Sequence, residues 1–146
     1  MFFSYLKACS YYLPEKVITN DMLAETLDTS HEWIFSRTGI NQRHIASEQE
    51  TAAFMAAECA RKIIDQEGVD LIIVATCTAD YVMPSTASLV QSMLGLNCAA
   101  FDVQGACAGF IYALSIGDQF IKTGMYKRVL VIGVEKMSKV LDWTDR

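Results

Sequence analysis

The chain has 146 residues, of which 52% are hydrophobic and 20% are charged, and its formal net charge is -5. No run of lysine and arginine is longer than two residues, so the sequence offers no basic patch for a nucleic-acid backbone and nucleic-acid binding is not expected. The longest apolar stretch, residues 69–77, is interrupted by Asp70 and is far shorter than the roughly 20 residues that span a bilayer, so no membrane helix is predicted. The composition and length predict a single globular domain over residues 1–146.

The first third of the chain predicts short elements joined by polar loops. Residues 1–16 are apolar but interrupted by Lys7, so the long hydrophobic core of a secretory signal is missing and a first strand is predicted. After a turn at Pro14, Asn20 is a candidate N-cap for a helix through residues 21–27. Residues 28–46 mix aromatic and charged side chains in an irregular pattern, which predicts a structured loop.

Residues 47–135 show a regular alternation of helix and strand patterns. The clearest helix, residues 47–68, is rich in alanine, glutamate and lysine and ends at Gly68, which suits a C-terminal cap. The next predicted elements are a strand covered on both faces at 69–77, a helix at 85–96, a buried strand at 97–103, a helix at 107–124 and a strand at 127–135. Strands and helices that alternate at these lengths predict a mostly parallel sheet with helices on its faces.

Cys107 stands at the start of the predicted helix 107–124, between the small residues of the sequence GACAG. A thiol in the first turn of a helix lies near unpaired N–H groups and the positive end of the helix dipole, which favour the thiolate. Free cysteine is also among the most buried residue types, so the residues alone leave two readings open, a nucleophile or a small core residue. The helix carries Phe110, Leu114, Gly117 and Ile121 on one face, and Gly124 ends it.

The other cysteines and the histidines give weaker signals. The five cysteines form an odd set without a C-x-x-C pair or a histidine at metal-ligand spacing, which predicts no metal site and favours reduced thiols in a cytoplasm. We expect the four cysteines other than Cys107 to be small buried residues. His31 and His44 lie in the predicted loop, where exposed side chains without a catalytic role are expected.

Several segments occur in an order that resembles one enzyme family. They are DTSHEWIFSRTGINQRHIA, DLIIVAT, PSTASLVQSMLG, FDVQGACAGFIYALS and DWTDR, and together they run along nearly the whole chain. In this combination the sequence is similar to the N-terminal half of β-ketoacyl-acyl carrier protein synthase III, of the thiolase superfamily. The resemblance implies an α/β fold, namely the N-terminal half of a thiolase-like fold, with a mostly parallel mixed sheet and helices on its faces in one domain at residues 1–146.

The same resemblance implies roles for individual residues. Cys107 of the motif ACAGF would accept an acyl group from acyl-CoA as a thioester and pass it to the carbanion formed from malonyl-acyl carrier protein. Its backbone N–H would supply one oxyanion donor. The residues that match the family's CoA-binding positions are Thr29, Trp33, Arg37, Thr38 and Arg146. Met83 and Met137 match walls of the acyl pocket, and ordinary core packing is the alternative for both.

The resemblance also indicates which functional groups this chain lacks. The family completes its site with a histidine and an asparagine from its second half, and the chain stops at Arg146, before that half begins. We therefore expect a fragment or truncated product that bears the nucleophile of an acyltransferase and does not complete the condensation alone. The resemblance further implies an apolar face that favours association, a homodimer, acyl-CoA as a substrate without a separate cofactor, and a cytoplasmic location.

Two alternatives to a condensing enzyme of fatty acid synthesis initiation stay open. A relative on the same scaffold would carry out acyl transfer without condensation, or a condensation of secondary metabolism. A non-catalytic half-module would instead fold by pairing with itself or with another chain.

Overall fold

The computed structural model describes residues 2–145, which form two compact units. The small unit comprises Leu13–Glu50 together with residues 136–145, and the large unit comprises residues 2–12 together with Thr51–Glu135. Within residues 2–145, no helix combines the length and the apolar composition that a membrane span requires.

The small unit is built on a two-stranded antiparallel sheet. Strand β1 (Lys16–Thr19) pairs with β2 (Gln42–Ile45). Two helices, α1 (Asn20–Ala24) and α2 (His31–Thr38), lie between these strands in the chain. The four elements are short, and most of their side chains are exposed or only partly buried.

The prediction of a structured loop at residues 28–46 is wrong, because α2 and β2 occupy most of it. The hydroxyl of Ser30 accepts a hydrogen bond from the Trp33 N–H at 3.1 Å and caps the start of α2. Gly39 ends the helix with a φ of 69°, the left-handed conformation that glycine adopts without strain. None of the side chains of α2 is fully buried, so the helix has no continuous apolar stripe from which the sequence would predict it.

Asn20 is not the N-cap of α1. That cap is Thr19, whose hydroxyl accepts a hydrogen bond from the Met22 N–H at 3.2 Å. Asn20 is the first residue of the helix and is fully buried. Its amide donates to the Ile40 carbonyl and accepts from the Arg43 guanidinium, each at 2.7 Å. The asparagine therefore stabilises the interior of the small unit, and α1 is shorter than predicted.

The large unit is built on a three-stranded parallel sheet. Its strands are β3 (Leu71–Ala75), β4 (Ala99–Val103) and β5 (Val129–Gly133), in the spatial order β4-β3-β5. Every residue of the central strand β3 is buried, which confirms the prediction of a strand covered on both faces. The prediction that β4 is buried is wrong, because β4 lies at the edge of the sheet and is only partly covered.

Three helices cover the two faces of this sheet. Helices α3 (Ala52–Arg61) and α4 (Thr86–Leu94) pack against the even-numbered residues of β3, and α5 (Gly109–Lys122) packs against the odd-numbered ones. Since successive side chains of a strand point to opposite faces, α3 and α4 lie on one face and α5 lies on the other. The predicted parallel α/β arrangement is thereby confirmed.

Helix α3 ends earlier than predicted. It begins after Thr51, whose hydroxyl accepts from the Phe54 N–H, and its last residue is Arg61. Gly68 adopts a φ of 73°, but its N–H binds the Asp65 carbonyl, so it closes a separate turn after the helix. The helical composition of residues 62–67 does not distinguish a helix from this turn.

Helix α5 buries its small residues against the sheet. The fully buried residues are Gly109, Ala113 and Gly117, whereas Phe110 is 42% exposed. A Cβ atom on Gly117 would lie 3.2 Å from Val129 Cγ1, so the small side chains let the helix approach the sheet closely. The buried face is therefore set by small residues and not by the spacing of the large apolar ones.

The predicted first strand at residues 1–16 is also wrong for the described residues 2–14. No residue of 2–12 lies in a strand, and residues 2–11 form no backbone-to-backbone hydrogen bonds to other described residues. Side chains instead attach this segment to the rest of the large unit. The Ser4 hydroxyl donates a hydrogen bond to the Asp118 carboxylate, and Lys7 forms a salt bridge with Asp65 at 2.6 Å. An apolar run cannot form a strand without a neighbouring edge that accepts its backbone hydrogen bonds.

Candidate active site

Cys107 lies at the carboxyl edge of the parallel sheet in the large unit. A 3₁₀ turn at Ala106–Ala108 joins β4 to α5, and Cys107 is its central residue. The residue is exposed and its thiol is free. The alternative of a small core residue therefore does not apply to Cys107 in this structure.

An open cleft of about 240 Å³ lies beside Cys107. Three segments of the large unit that end or begin at this edge of the sheet form its walls. The lining residues are Ala75, Ala106, Cys107, Phe110, Gly133, Val134 and Glu135. From the central strand β3 the chain connects first to β4 on one side and then to β5 on the other. Open parallel sheets bind ligands at such a reversal, outside the carboxyl ends of the strands.

The backbone before Cys107 is constrained by its packing. Ala106 has a φ of 46°, in the left-handed region that costs a non-glycine residue about 1 kcal/mol. A Cβ atom on the preceding Gly105 would lie 2.8 Å from Tyr112 Cδ2 and 3.0 Å from Gly109 Cα. Any other residue at this position would force one of these neighbours to shift. Strain that the surrounding packing maintains is characteristic of sites that hold a reactive group in place.

The backbone N–H of Cys107 is available as a hydrogen-bond donor. Among residues 2–145 it has no acceptor, whereas the next two N–H groups bind the carbonyls of Gly105 and Ala106. Helix α5 continues for 14 residues beyond the turn, so the positive end of its dipole lies at this position. A free N–H beside an exposed thiol is the arrangement that stabilises an oxyanion formed by attack of that thiol.

Glu135 also belongs to this site, and the sequence analysis did not single it out. Its carboxylate accepts hydrogen bonds from the Cys77 N–H at 2.7 Å, the Thr78 hydroxyl at 2.5 Å and the Thr76 hydroxyl at 3.5 Å. These bonds join the chain after β5 to the chain after β3. The sequence feature that could have identified Glu135 is an acidic residue just after an apolar strand, because the carboxyl ends of strands in a parallel sheet are where ligands bind.

Trp33 and Arg37, two residues predicted to bind CoA, lie one turn apart on α2 in the small unit. The Arg37 guanidinium lies 4.3 Å from the centre of the Trp33 ring, a cation–π contact. Both residues are exposed, and Trp33 retains 40% of its surface accessible. An exposed indole beside a guanidinium suits a nucleotide, because the ring stacks on a base and the cation binds phosphate.

The two threonines of the predicted CoA site differ in their surroundings: Thr38 is exposed and Thr29 is partly buried. The Thr38 hydroxyl donates to the Ile34 carbonyl at 2.7 Å and accepts from the Ile40 N–H at 3.0 Å. The Thr29 hydroxyl is buried and has no hydrogen-bond partner among residues 2–145. Arg146, the fifth predicted residue, lies outside the described residues.

The two methionines predicted at the acyl pocket are exposed. Met83, in the large unit, is 82% exposed and does not line the Cys107 cleft. Met137 is 47% exposed and lies in a 3₁₀ turn of the small unit, at Met137–Lys139. The alternative of ordinary core packing therefore does not hold for either residue.

Several expectations for the other thiols and the imidazoles are wrong. Cys9 and Cys77 are exposed, and the remaining two, Cys59 and Cys98, are partly buried. Burial raises the pKa of the Cys98 thiol. The histidines are partly buried rather than exposed: the His44 ring nitrogen lies 2.6 Å from the Pro14 carbonyl oxygen, and the His31 ring stacks on Phe35.

Comparison with known proteins supports the assignment of this site to a family. The family profile of 3-oxoacyl-[acyl-carrier-protein (ACP)] synthase III matches residues 101–146, which include Cys107 and Glu135. The β-ketoacyl-[acyl-carrier-protein] synthase III of Ehrlichia canis is 55% identical over 141 residues, which cover 92% of this chain and 44% of that protein. The chain belongs to the β-ketoacyl-acyl carrier protein synthase III family. It spans about half the length of the curated relatives it matches.

Solved structures place the fold in the same group of enzymes. The synthase III of Aquifex aeolicus VF5 superposes with a TM-score of 0.89 at 50% identity, over 94% of this chain and 46% of that one. The priming β-ketosynthase of the R1128 polyketide pathway gives a TM-score of 0.93 at 34% identity, over 99% of this chain and 45% of that one. The predicted thiolase-like α/β fold, in about half of the family's length, is therefore confirmed.

Proposed function

We propose that this synthase III chain carries the nucleophile of an acyl-CoA-dependent condensing enzyme that starts fatty acid synthesis. Cys107 would accept an acyl group from acyl-CoA, and the resulting thioester would be condensed with malonyl-acyl carrier protein. The observation that carries the proposal is the exposed Cys107 thiol at the start of α5, beside a cleft and next to its own free N–H. Membership of the synthase III family supports the same role.

The proposed acylation is a thioester exchange. The Cys107 thiol loses its proton, and the thiolate sulfur attacks the carbonyl carbon of the acyl thioester. A tetrahedral oxyanion forms, to which the Cys107 N–H donates a hydrogen bond. As the carbonyl re-forms, the bond to the CoA sulfur breaks and CoA leaves as a thiolate that takes up a proton. The product thioester on Cys107 remains activated for the carbanion that malonyl-acyl carrier protein yields on losing CO₂.

The substrate-binding roles of the other predicted residues belong to this proposal. Trp33 and Arg37 would bind the adenine and phosphates of CoA, and their exposed, stacked arrangement supports this role. The further residues proposed at the substrates are Thr29, Thr38 and Arg146 for CoA, and Met83 and Met137 for the acyl group. The reaction needs no cofactor besides its substrates. We also propose that the complete enzyme is a cytoplasmic homodimer.

The intact mass of the chain after incubation with acetyl-CoA tests the proposed acylation. We expect one acetyl adduct on the wild type, none on Cys107→Ala, and one on Cys77→Ala. Cys77 is the matched control because it is also exposed and its N–H binds Glu135 beside the same cleft. Equal labelling of all three proteins would contradict the assignment of Cys107, and absence of an adduct from all three would contradict acylation by this chain.

A second candidate is a condensation of secondary metabolism. The TM-score of 0.93 with a priming β-ketosynthase of a polyketide pathway favours it. The two candidates differ in the carrier protein that presents the malonyl group. Surface plasmon resonance with carrier proteins of fatty acid and polyketide synthesis would separate them, because the favoured carrier should bind the immobilised chain more tightly.

A further inference from the structure

We propose that Glu135 biases the choice of the acyl group that Cys107 carries, favouring uncharged acyl groups over those that bear a carboxylate. This inference rests on the proposed function of Cys107 as the acyl carrier. It applies to the group attached to the thiol. The malonyl unit is different, because in the proposed reaction it reacts from its own carrier and loses its carboxylate as CO₂.

The composition of the cleft is the first observation. Among the described residues that line it, Glu135 alone carries a charge, and those around it are alanine, glycine, valine, phenylalanine and the cysteine itself. Cys107 and Glu135 line the same cleft of about 240 Å³, so a substituent on the thiol extends into space that Glu135 also borders. A substituent there therefore experiences the field of the carboxylate.

The second observation is that this carboxylate is held in place. Three donors converge on it from the chain after β3, the N–H of Cys77 and the hydroxyls of Thr78 and Thr76. All three donors are neutral. In the described part of the chain no cation forms a salt bridge with Glu135. The negative charge is therefore fixed at the cleft wall and is not cancelled by a partner.

A second carboxylate in the cleft would meet this charge at short range. Two like charges a few ångströms apart disfavour each other, and the apolar lining weakens the screening that water would provide. An acetyl or other uncharged acyl group has no such interaction. We expect the discrimination to be about fivefold, because the cleft is open to solvent.

Alkylation with two reagents of similar size and different charge tests this selection directly. Iodoacetamide is neutral and iodoacetate is an anion, and with either one the thiolate forms an S–C bond while iodide leaves. Peptide mass spectrometry measures the alkylation rate of each cysteine with each reagent. The ratio of the iodoacetamide rate to the iodoacetate rate at Cys107 should fall about fivefold in Glu135→Gln. The ratio at Cys9, which is also exposed, should stay the same.

A matched variant separates the charge in the cleft from a change in net charge. Glu58→Gln removes an exposed charge of α3 that does not line the cleft, and it should leave the ratio at Cys107 unchanged. In the wild type, raising the salt concentration to about 0.5 M should also lower the ratio, because salt screens the carboxylate. An unchanged ratio in a folded Glu135→Gln, or in wild type at high salt, would overturn the inference.

CoA thioesters test the proposed function separately from the charge selection. Wild type should acquire the adduct at Cys107 about fivefold faster from acetyl-CoA than from malonyl-CoA, and this difference should disappear in Glu135→Gln. If no thioester labels Cys107 while the alkylation ratio falls as expected, the acylation proposal fails and the charge selection stands. If acetyl-CoA labels Cys107 while the alkylation ratio is unchanged, the acylation proposal stands and the charge selection fails.

Discussion

At the scale of single residues, the turn that carries Cys107 depends on two glycines, because each leaves room for an aromatic ring that packs beside the turn. Gly105 leaves space for Tyr112, and Gly133 at the end of β5 leaves space for the Phe110 ring, which would lie 3.0 Å from an added Cβ. Phe110 follows Cys107 by one helical turn and lines the same cleft. The position of the thiol is therefore set by close packing, in addition to the hydrogen bonds of the turn.

We expect Gly105→Ala to lower the free energy of unfolding by about 1–3 kcal/mol, because the new methyl group would meet the Tyr112 ring at 2.8 Å and the Gly109 backbone at 3.0 Å. Urea unfolding followed by circular dichroism measures the loss. Gly109→Ala is the control, since its methyl group would reach Ala75 at an ordinary 3.5 Å. Equal losses in the two variants would contradict the packing argument.

At the scale of secondary structure, aspartates link elements that are distant in the chain. Both oxygens of Asp102, in β4, accept N–H groups from the first turn of α4 at 2.7 Å. Asp80 does the same for the first turn of α3 at 3.0 Å. Asp70 precedes β3 and accepts the N–H groups of Lys127 and Arg128, just before β5, at 2.9 Å. Charged acceptors at these ends fix where each helix and strand begins.

Asp70 should make the stability of the chain depend on pH. The hydrogen bond from the Lys127 N–H, supported by that from Arg128, lowers the pKa of Asp70 below its ordinary 3.8. A pKa lowered by folding stabilises the folded state above the ordinary value, and this stabilisation is lost as the pH falls through the folded value. We expect Asp70→Asn to cost about 1 kcal/mol at pH 6, and this difference from wild type to shrink below pH 3.8.

Urea unfolding at pH 6 and pH 3 measures this difference. Glu25→Gln, at an exposed position after α1, is the control and should differ from wild type by less than about 0.5 kcal/mol at both pH values. A cost of Asp70→Asn that is the same at pH 6 and pH 3 would show that the charge of Asp70 does not contribute.

At the scale of the whole molecule, the large unit exposes much apolar surface near its candidate site. On α5, Ile111 is 58% and Tyr112 is 54% exposed, and between α4 and the end of β3 Val82 and Met83 are exposed. Exposed apolar residues grouped in this way are characteristic of an interaction surface. In the proposed homodimer, a second copy of the same chain would cover this surface.

We expect the purified chain to associate, because association would cover the exposed apolar face of α5. Ile111→Lys should shift the sedimentation coefficient toward the monomer, since it places a charge on that face without removing a buried contact. Sedimentation velocity at several concentrations is the measurement, and Lys122→Glu, at the far end of the helix, is the control. A wild-type chain that stays monomeric throughout would contradict this prediction.

The sequence by itself determined the periodic elements and the chemical identity of the site. Short apolar runs and the turn residues between them predicted β3, α4, β4 and β5 close to their observed positions, because these signals are local. The residues around Cys107 predicted a thiol at the start of a helix, and five motifs in order along the chain predicted the family.

Only the tertiary structure decided which face each element buries and which residues meet at the cleft. Small residues of α5, and not its large apolar ones, are fully buried, because close approach to the sheet requires small side chains. The opening segment has strand composition and no strand partner. Glu135 meets Cys77 from 58 positions away through the pairing of β3 with β5. Such pairing is a property of the folded sheet, and no local pattern encodes it.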